Sequence, residues 1–91
     1  MGERIEIPEE VLFKPVGDEI ILLNLESGIY YGLDAVGSRF WSILEEERDV
    51  DAALVRMGEE FEVDAATLER DCRELLGELR QRGLVKVLAV G

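Results

Sequence analysis

Apolar residues in the first third of the chain follow the pattern of β-strands. Residues 19–25 form a nearly continuous apolar run of strand-forming side chains, and residues 29–33 form a second run. Residues 26–28 separate them and end in Gly28, which can take the positive φ of a tight turn. The two runs predict a hairpin, and residues 11–14 predict a third strand of the same antiparallel sheet.

Weaker strand signals lie near the two ends of the chain. Residues 4–7 alternate between charged and apolar side chains until Pro8 ends the pattern, which predicts a short edge strand. Residues 84–90 are mostly apolar and predict a final strand. Residues 15–18 read Pro-Val-Gly-Asp, a sequence typical of a turn, so the strand that begins at residue 11 is expected to end before them.

After residue 33 the apolar positions change to helical spacing. Helices are predicted over residues 35–47, 50–60 and 65–82, each preceded by an aspartate that can cap it: Asp34, Asp49 and Asp64. Val63 and Leu68 predict a hydrophobic staple around the last cap, and Gly83 is expected to end the third helix. The order of elements predicts one α+β domain over residues 1–91, a three-stranded antiparallel sheet followed by three helices that resemble a winged helix-turn-helix.

The same periodicity assigns side chains to the core. The first helix is expected to bury one stripe, with Trp41 beside it, and the third helix another: Val36, Phe40, Ile43 and Leu44 in the first, and Leu68, Cys72, Leu75, Leu76 and Leu79 in the third. Phe40 and Trp41 are therefore expected to be one core residue and one neighbour. Tyr30 and Tyr31 point to opposite faces of their strand, and the alternation leaves Tyr30 the more exposed.

Charge and composition exclude several classes of function. The chain carries 21 acidic and 10 basic residues, a net charge of −11, which opposes nucleic-acid binding by the surface as a whole. It has no histidine and one cysteine, so a zinc site or a catalytic triad is not expected, and no cofactor motif is present. We therefore expect neither an enzyme nor a bound metal or cofactor. No apolar run has the roughly 20 residues of a membrane span, so no membrane association and a cytoplasmic location are expected.

The predicted hairpin offers a way to bind a peptide without catalytic groups. If its second strand is an edge strand, unpaired N–H and C=O groups are available for an extended peptide. The peptide would extend the sheet, and a helix packed along that edge would supply pockets for its side chains.

Residues 22–37 followed by Phe40 and Trp41 resemble the pyrroloquinoline-quinone biosynthesis protein D (PqqD) family. The resemblance continues in the second half through residues 61–64, the Asp-x-x-x-Leu-Leu segment at 71–76, Leu79 and residues 83–85. It implies a winged-helix-like fold that binds the leader of a ribosomally made precursor peptide. The implied contacts lie on the hairpin's second strand and on the third helix: Gly28, Ile29, Tyr30, Tyr31, Gly32 and Leu33, and Arg70, Asp71, Glu74, Leu75 and Glu78.

The resemblance also implies the partners. Besides the precursor leader, these are a separate leader peptidase or another modifying enzyme, and a chain of this size is most similar to the recognition proteins of lasso-peptide pathways. Pyrroloquinoline-quinone and radical-SAM peptide pathways are the close alternatives. A winged-helix DNA-binding regulator is a further alternative, although the third helix and its capping Asp64 carry five acidic residues against four arginines.

Overall fold

The computed structural model describes residues 2–90 and has the predicted α+β architecture. A three-stranded antiparallel sheet is followed by three helices, and a separate two-stranded sheet joins the two ends of the chain. The elements are β1 (Gly2–Glu6), β2 (Val11–Val16), β3 (Glu19–Asn24), β4 (Tyr30–Leu33), α1 (Ala35–Glu47), α2 (Val50–Glu60), α3 (Ala65–Gln81) and β5 (Lys86–Val90).

The larger sheet has the order β2-β3-β4, so β4 is an edge strand. The predicted turn at residues 15–18 is too long, because Pro15 and Val16 continue β2 and pair with Ile20 and Glu19. β2 is itself an edge strand, where the N–H that proline lacks is not needed for a second partner. Only two residues remain for the turn, and Gly17 takes the positive φ of 66° that such a short connection requires.

The strands predicted near the two chain ends pair with each other. β1 and β5 are antiparallel, with Ile5 opposite Val87. β1 begins two residues earlier than the alternation indicated, and the Ile5 N–H donates to the Arg48 carbonyl at 2.9 Å. This second sheet packs on α2 through β1.

Two of the three predicted caps form as expected. The side chains of Asp34 and Asp49 accept hydrogen bonds from the backbone N–H groups of Gly37 and Ala52, at 2.8 and 2.9 Å. Asp64 stands at the cap position of α3, but its carboxylate accepts from the Thr67 hydroxyl instead of a backbone N–H.

The predicted hydrophobic staple around Asp64 is wrong. Val63 is 56% exposed, and the apolar residue of this connection that packs against the core is Phe61. Gly83 follows the end of α3 with a φ of 72°, as expected for a helix terminator.

The core encloses both aromatic residues of α1. Phe40 and Trp41 are each 1% exposed, so the expectation that one of them is only a neighbour of the core is wrong. α1 lies between the sheet and α2, and the Phe13 ring of β2 packs edge-on against Trp41 at 5.6 Å. Val36, in contrast, is 43% exposed, because the first turn of α1 begins at the sheet edge and not above the sheet.

The cap geometry predicts unequal effects of two alanine substitutions. Asp49→Ala removes a bond to a helix N–H and should lower the free energy of unfolding by about 1 kcal/mol. Asp64→Ala removes only a bond to an exposed hydroxyl and should cost less. Urea titrations followed by circular dichroism measure both, and equal losses would contradict the assignment.

Candidate functional site

A groove of about 470 Å³ is bordered by three elements. These are β4, the N-terminal half of α1, and α3 from Leu68 to Leu75. Its lining is mainly apolar, and its two charged residues are both aspartates. β4 and the cap of α1 contribute Tyr31, Gly32, Leu33 and Asp34; α1 contributes Val36, Gly37 and Phe40; α3 contributes Leu68, Asp71, Cys72 and Leu75.

The free edge of β4 borders this groove. The Asn24 N–H donates to the Ile29 carbonyl at 2.9 Å, and hydrogen-bonded pairs alternate along an antiparallel ladder. The next bonded partners of β3 in register are therefore Tyr31 and Leu33. Tyr30 and Gly32 fall at the intervening positions, so their N–H and C=O groups point away from β3. No strand of the described residues 2–90 pairs with this edge.

A glycine lets α1 approach α3 at the floor of the groove. A Cβ atom on Gly37 would lie 3.3 Å from a methyl carbon of Leu75 and 3.2 Å from the Asp34 carboxylate. Both distances are tighter than ordinary packing, so a larger residue here would push Leu75 or the cap aside. Gly37 thereby helps to set the width of the groove.

A tyrosine ties β4 to α3 at one end of the groove. The Tyr31 hydroxyl donates to the Glu78 carboxylate, and the Arg82 guanidinium lies 5.0 Å from the centre of the Tyr31 ring, where a cation–π attraction is expected. The hydrogen bond to Glu78, burial and the nearby Glu78 charge raise the pKa of Tyr31, so the hydroxyl stays a donor at neutral pH.

A buried asparagine fixes the turn before β4. Asn24 is 6% exposed; its Oδ1 accepts from the N–H groups of Glu26 and Ser27, and its Nδ2 donates to the Gly83 carbonyl at 3.0 Å. One side chain thus closes the turn and attaches it to the end of α3. The sequence contained a signal for the local part, since asparagine favours this turn, but not for the bond to Gly83.

The structure brings only some of the predicted contact residues together. Tyr31, Gly32, Leu33, Asp71 and Leu75 line the groove, and Glu78 reaches it through the Tyr31 hydroxyl. The others lie outside the lining: Gly28 in the turn, Ile29 before β4, Tyr30 on the outer face of the sheet, and Arg70 and Glu74 on the exposed side of α3.

Six lining residues were not anticipated from the sequence as contacts. The sequence pattern indicates a cap for one and core positions for most of the others: Asp34, Val36, Gly37, Phe40, Leu68 and Cys72. Their common feature is tertiary, since each lies where α1 or α3 borders the groove beside β4.

Cys72 behaves as a small apolar residue of the groove wall. It is 4% exposed, and burial, with a smaller contribution from the Asp71 charge, raises the pKa of its thiol to about 11. The thiol is therefore protonated at neutral pH and is a poor nucleophile.

The described residues 2–90 contain no group of three or more side chains that could hold a metal ion. None of the helices in that part of the chain has the length and apolarity needed to cross a membrane.

Comparisons with known proteins agree with this geometry. A family model described as coenzyme PQQ synthesis protein D (PqqD) matches residues 19–85. TbiB1, solved in complex with the TbiA(beta) leader peptide, is 41% identical, with a TM-score of 0.82 over 89% of this chain and 94% of that one. A lasso peptide synthetase B1 complexed with the leader peptide shares the fold at 20% identity, with a TM-score of 0.80 over 91% and 98% of the two chains. No curated protein matches the sequence significantly.

The raised pKa of Cys72 predicts slow alkylation with a steep pH dependence. With a pKa of about 11, roughly one thiol in a thousand is ionised at pH 8, and this fraction rises about tenfold per pH unit until the pKa is approached. Iodoacetamide labelling of the folded chain, followed by mass spectrometry from pH 7.5 to 10, should show that rise. The urea-unfolded chain is the control, and a plateau near pH 9 in the folded chain would contradict the burial argument.

Proposed function

The chain belongs to the PqqD family, and we propose on that premise that it binds the leader segment of a ribosomally synthesised precursor peptide. The leader adds as a strand to the free edge of β4, and the rest of the precursor is presented to a separate leader peptidase or another modifying enzyme. The chain acts in the cytoplasm as one recognition domain and catalyses no reaction itself. The observation that carries this proposal is the unpaired edge of β4 beside an apolar groove.

The edge of β4 supplies the backbone part of recognition. Tyr30 and Gly32 each offer one N–H and one C=O, so an added strand can form four hydrogen bonds with them. At roughly 0.5–1.5 kcal/mol each, these bonds contribute about 2–6 kcal/mol. Ordering a flexible peptide costs roughly 2–5 kcal/mol or more, so backbone pairing alone leaves little net affinity.

Apolar side chains of the leader supply the remaining affinity. Leader residues in register with Tyr31 and Leu33 share the face of those side chains and point into the groove. A large apolar side chain that becomes fully buried there contributes about 1.5–3 kcal/mol. We therefore expect aromatic or aliphatic anchors at alternate positions of the leader.

Similarity to TbiB1 supports a leader peptide as the ligand. TbiB1 is bound to the TbiA(beta) leader peptide, and the similarity at 41% identity extends beyond the region of the family model. A lasso-peptide pathway is favoured because the fold shared with a lasso peptide synthetase B1 likewise extends over nine-tenths of the chain. Pyrroloquinoline-quinone and radical-SAM peptide pathways remain the alternatives.

The arginine at the centre of α3 fits DNA binding poorly. Arg73 of α3 pairs with Glu69, Glu3 and Asp51, and its pKa is raised, first by the hydrogen bond to Glu69 and then by the one to Glu3. Its charge is thus already compensated by carboxylates of the same chain. A DNA-binding helix instead presents cations that are available to phosphates.

Strand addition predicts that leader N-methylation has an effect at every second residue. Methyl groups on the leader nitrogens that face Tyr30 and Gly32 remove a hydrogen bond each and should weaken binding about tenfold. Methyl groups on the intervening nitrogens, which face solvent, should have little effect and serve as controls. Isothermal titration calorimetry with the leader encoded beside this gene, and with the TbiA(beta) leader, measures both. If neither peptide binds, the proposed function is overturned.

Leu75 of the groove wall should contribute more to leader binding than Leu54 of α2 does. Leu75 is half-buried in the groove wall, whereas Leu54 is half-buried on α2 and outside that groove. Leu75→Ala should weaken leader binding about tenfold through lost apolar contact, and Leu54→Ala should leave affinity unchanged once both variants are shown to be folded. Equal affinities for the two variants would place the leader elsewhere.

A further inference from the structure

We infer that the leader is read on both faces of β4, and that Gly32 marks a second subsite on the outer face of the sheet. The leader residue in register with Gly32 carries an aromatic or long aliphatic side chain, which lies across Gly32 and contacts Ile21. This inference rests on the proposed function and adds a specificity determinant to it.

The outer face, which points away from the helices, is apolar where it meets β4. Its cross-strand rows are Leu12–Leu23–Tyr30 and Lys14–Ile21–Gly32, followed by the pair Val16–Glu19. Tyr30 is 69% exposed and Ile21 is 41% exposed. The two charged residues of these rows are Lys14 on β2 and Glu19 at the start of β3. The half of the face beside the free edge of β4 therefore carries no charge.

Gly32 leaves an unfilled notch in this surface. A Cβ atom built there meets nothing within 4 Å, so neighbouring atoms do not demand a glycine. Its φ is not positive either, unlike those of Gly17, Gly28 and Gly83. A glycine inside a strand weakens it, and such a residue often marks the close approach of a ligand. A large cross-strand side chain that covers an edge glycine restores the lost packing.

The register assigns the occupant of this notch. Successive residues of any added strand point to opposite faces, whether the strand runs parallel or antiparallel to β4. A leader residue in register with Tyr31 points into the groove, and its neighbour in register with Gly32 points to the outer face. The occupant therefore belongs to the leader segment that already pairs with β4.

Distance sets the size of the occupant. Neighbouring strands lie about 4.8 Å apart, so Ile21 on β3 is about two spacings from the leader backbone. A short side chain cannot span that gap. An aromatic or long aliphatic side chain can, because Gly32 places no side chain between it and Ile21. The exposed Ile21 then gains a contact that the unbound sheet does not provide.

A double-mutant cycle tests the subsite with the leader encoded beside this gene and with the TbiA(beta) leader as probes. An alanine scan of each leader should reveal one sensitive residue directly next to a groove-facing anchor. Ile21→Ala should weaken binding of the unchanged leader about five- to tenfold, and should have no effect on the leader that carries alanine at that residue. In a Gly32→Val background the effect of Ile21→Ala should disappear, because the valine side chain fills the notch.

Leu12→Ala is the matched control, since Leu12 is apolar and 52% exposed on the same face but lies two strands from the edge. It should leave affinity unchanged. If Ile21→Ala binds both leaders as tightly as the parent chain does, the outer subsite is overturned, while an alternating effect of N-methylation would still uphold strand addition. If the parent chain binds neither leader, the proposed function fails and the subsite with it.

Discussion

The hydrogen bond from the Asn24 side-chain amide to the Gly83 carbonyl connects the end of β3 to the residues that follow α3. The same side chain closes the turn before β4, so the start of β4 is fixed relative to the end of α3. Since Asn24 is almost fully buried, each polar atom of its side chain must find a partner, and the arrangement tolerates little displacement. The bond from Tyr31 to Glu78 then joins β4 itself to α3.

A rigidly held edge strand favours binding of a peptide by strand addition. A preformed edge binds a peptide with little reorganisation, so the cost of ordering falls mainly on the peptide. Gly37 lets α1 approach Leu75 closely, and the groove beside β4 has mainly apolar walls. The same features would hold a leader in an extended conformation, which suits its presentation to another enzyme.

The charges act mostly outside the groove. Arg39, Arg56 and Arg73 each pair with carboxylates on neighbouring elements, and exposed pairs of this kind contribute little stability. In these pairs, carboxylates of the chain compensate its own arginines, although the net charge remains −11. Within the groove, Asp34 and Asp71 are the charged residues, so discrimination among peptides there depends chiefly on apolar shape, with a bias against acidic side chains.

The sequence by itself determined the elements that depend on near neighbours. Apolar runs of strand-forming residues identified β3 and β4, helical spacing identified the three helices, and the caps at Asp34 and Asp49 follow from residues only three positions apart. The resemblance to the PqqD family, carried by local motifs, identified β4 and α3 as the elements that border the groove.

Only the tertiary structure decided which surfaces face one another. Pro15 can continue β2 because β2 is an edge strand, and Trp41 is buried in a core where the Phe13 ring of β2 packs against it. Val36 and Cys72 line the groove because the fold brings α1 and α3 together beside β4. Periodicity specifies the face on which a side chain lies, but the burial of that face depends on partners distant in sequence. The groove is the space that those partners leave unfilled.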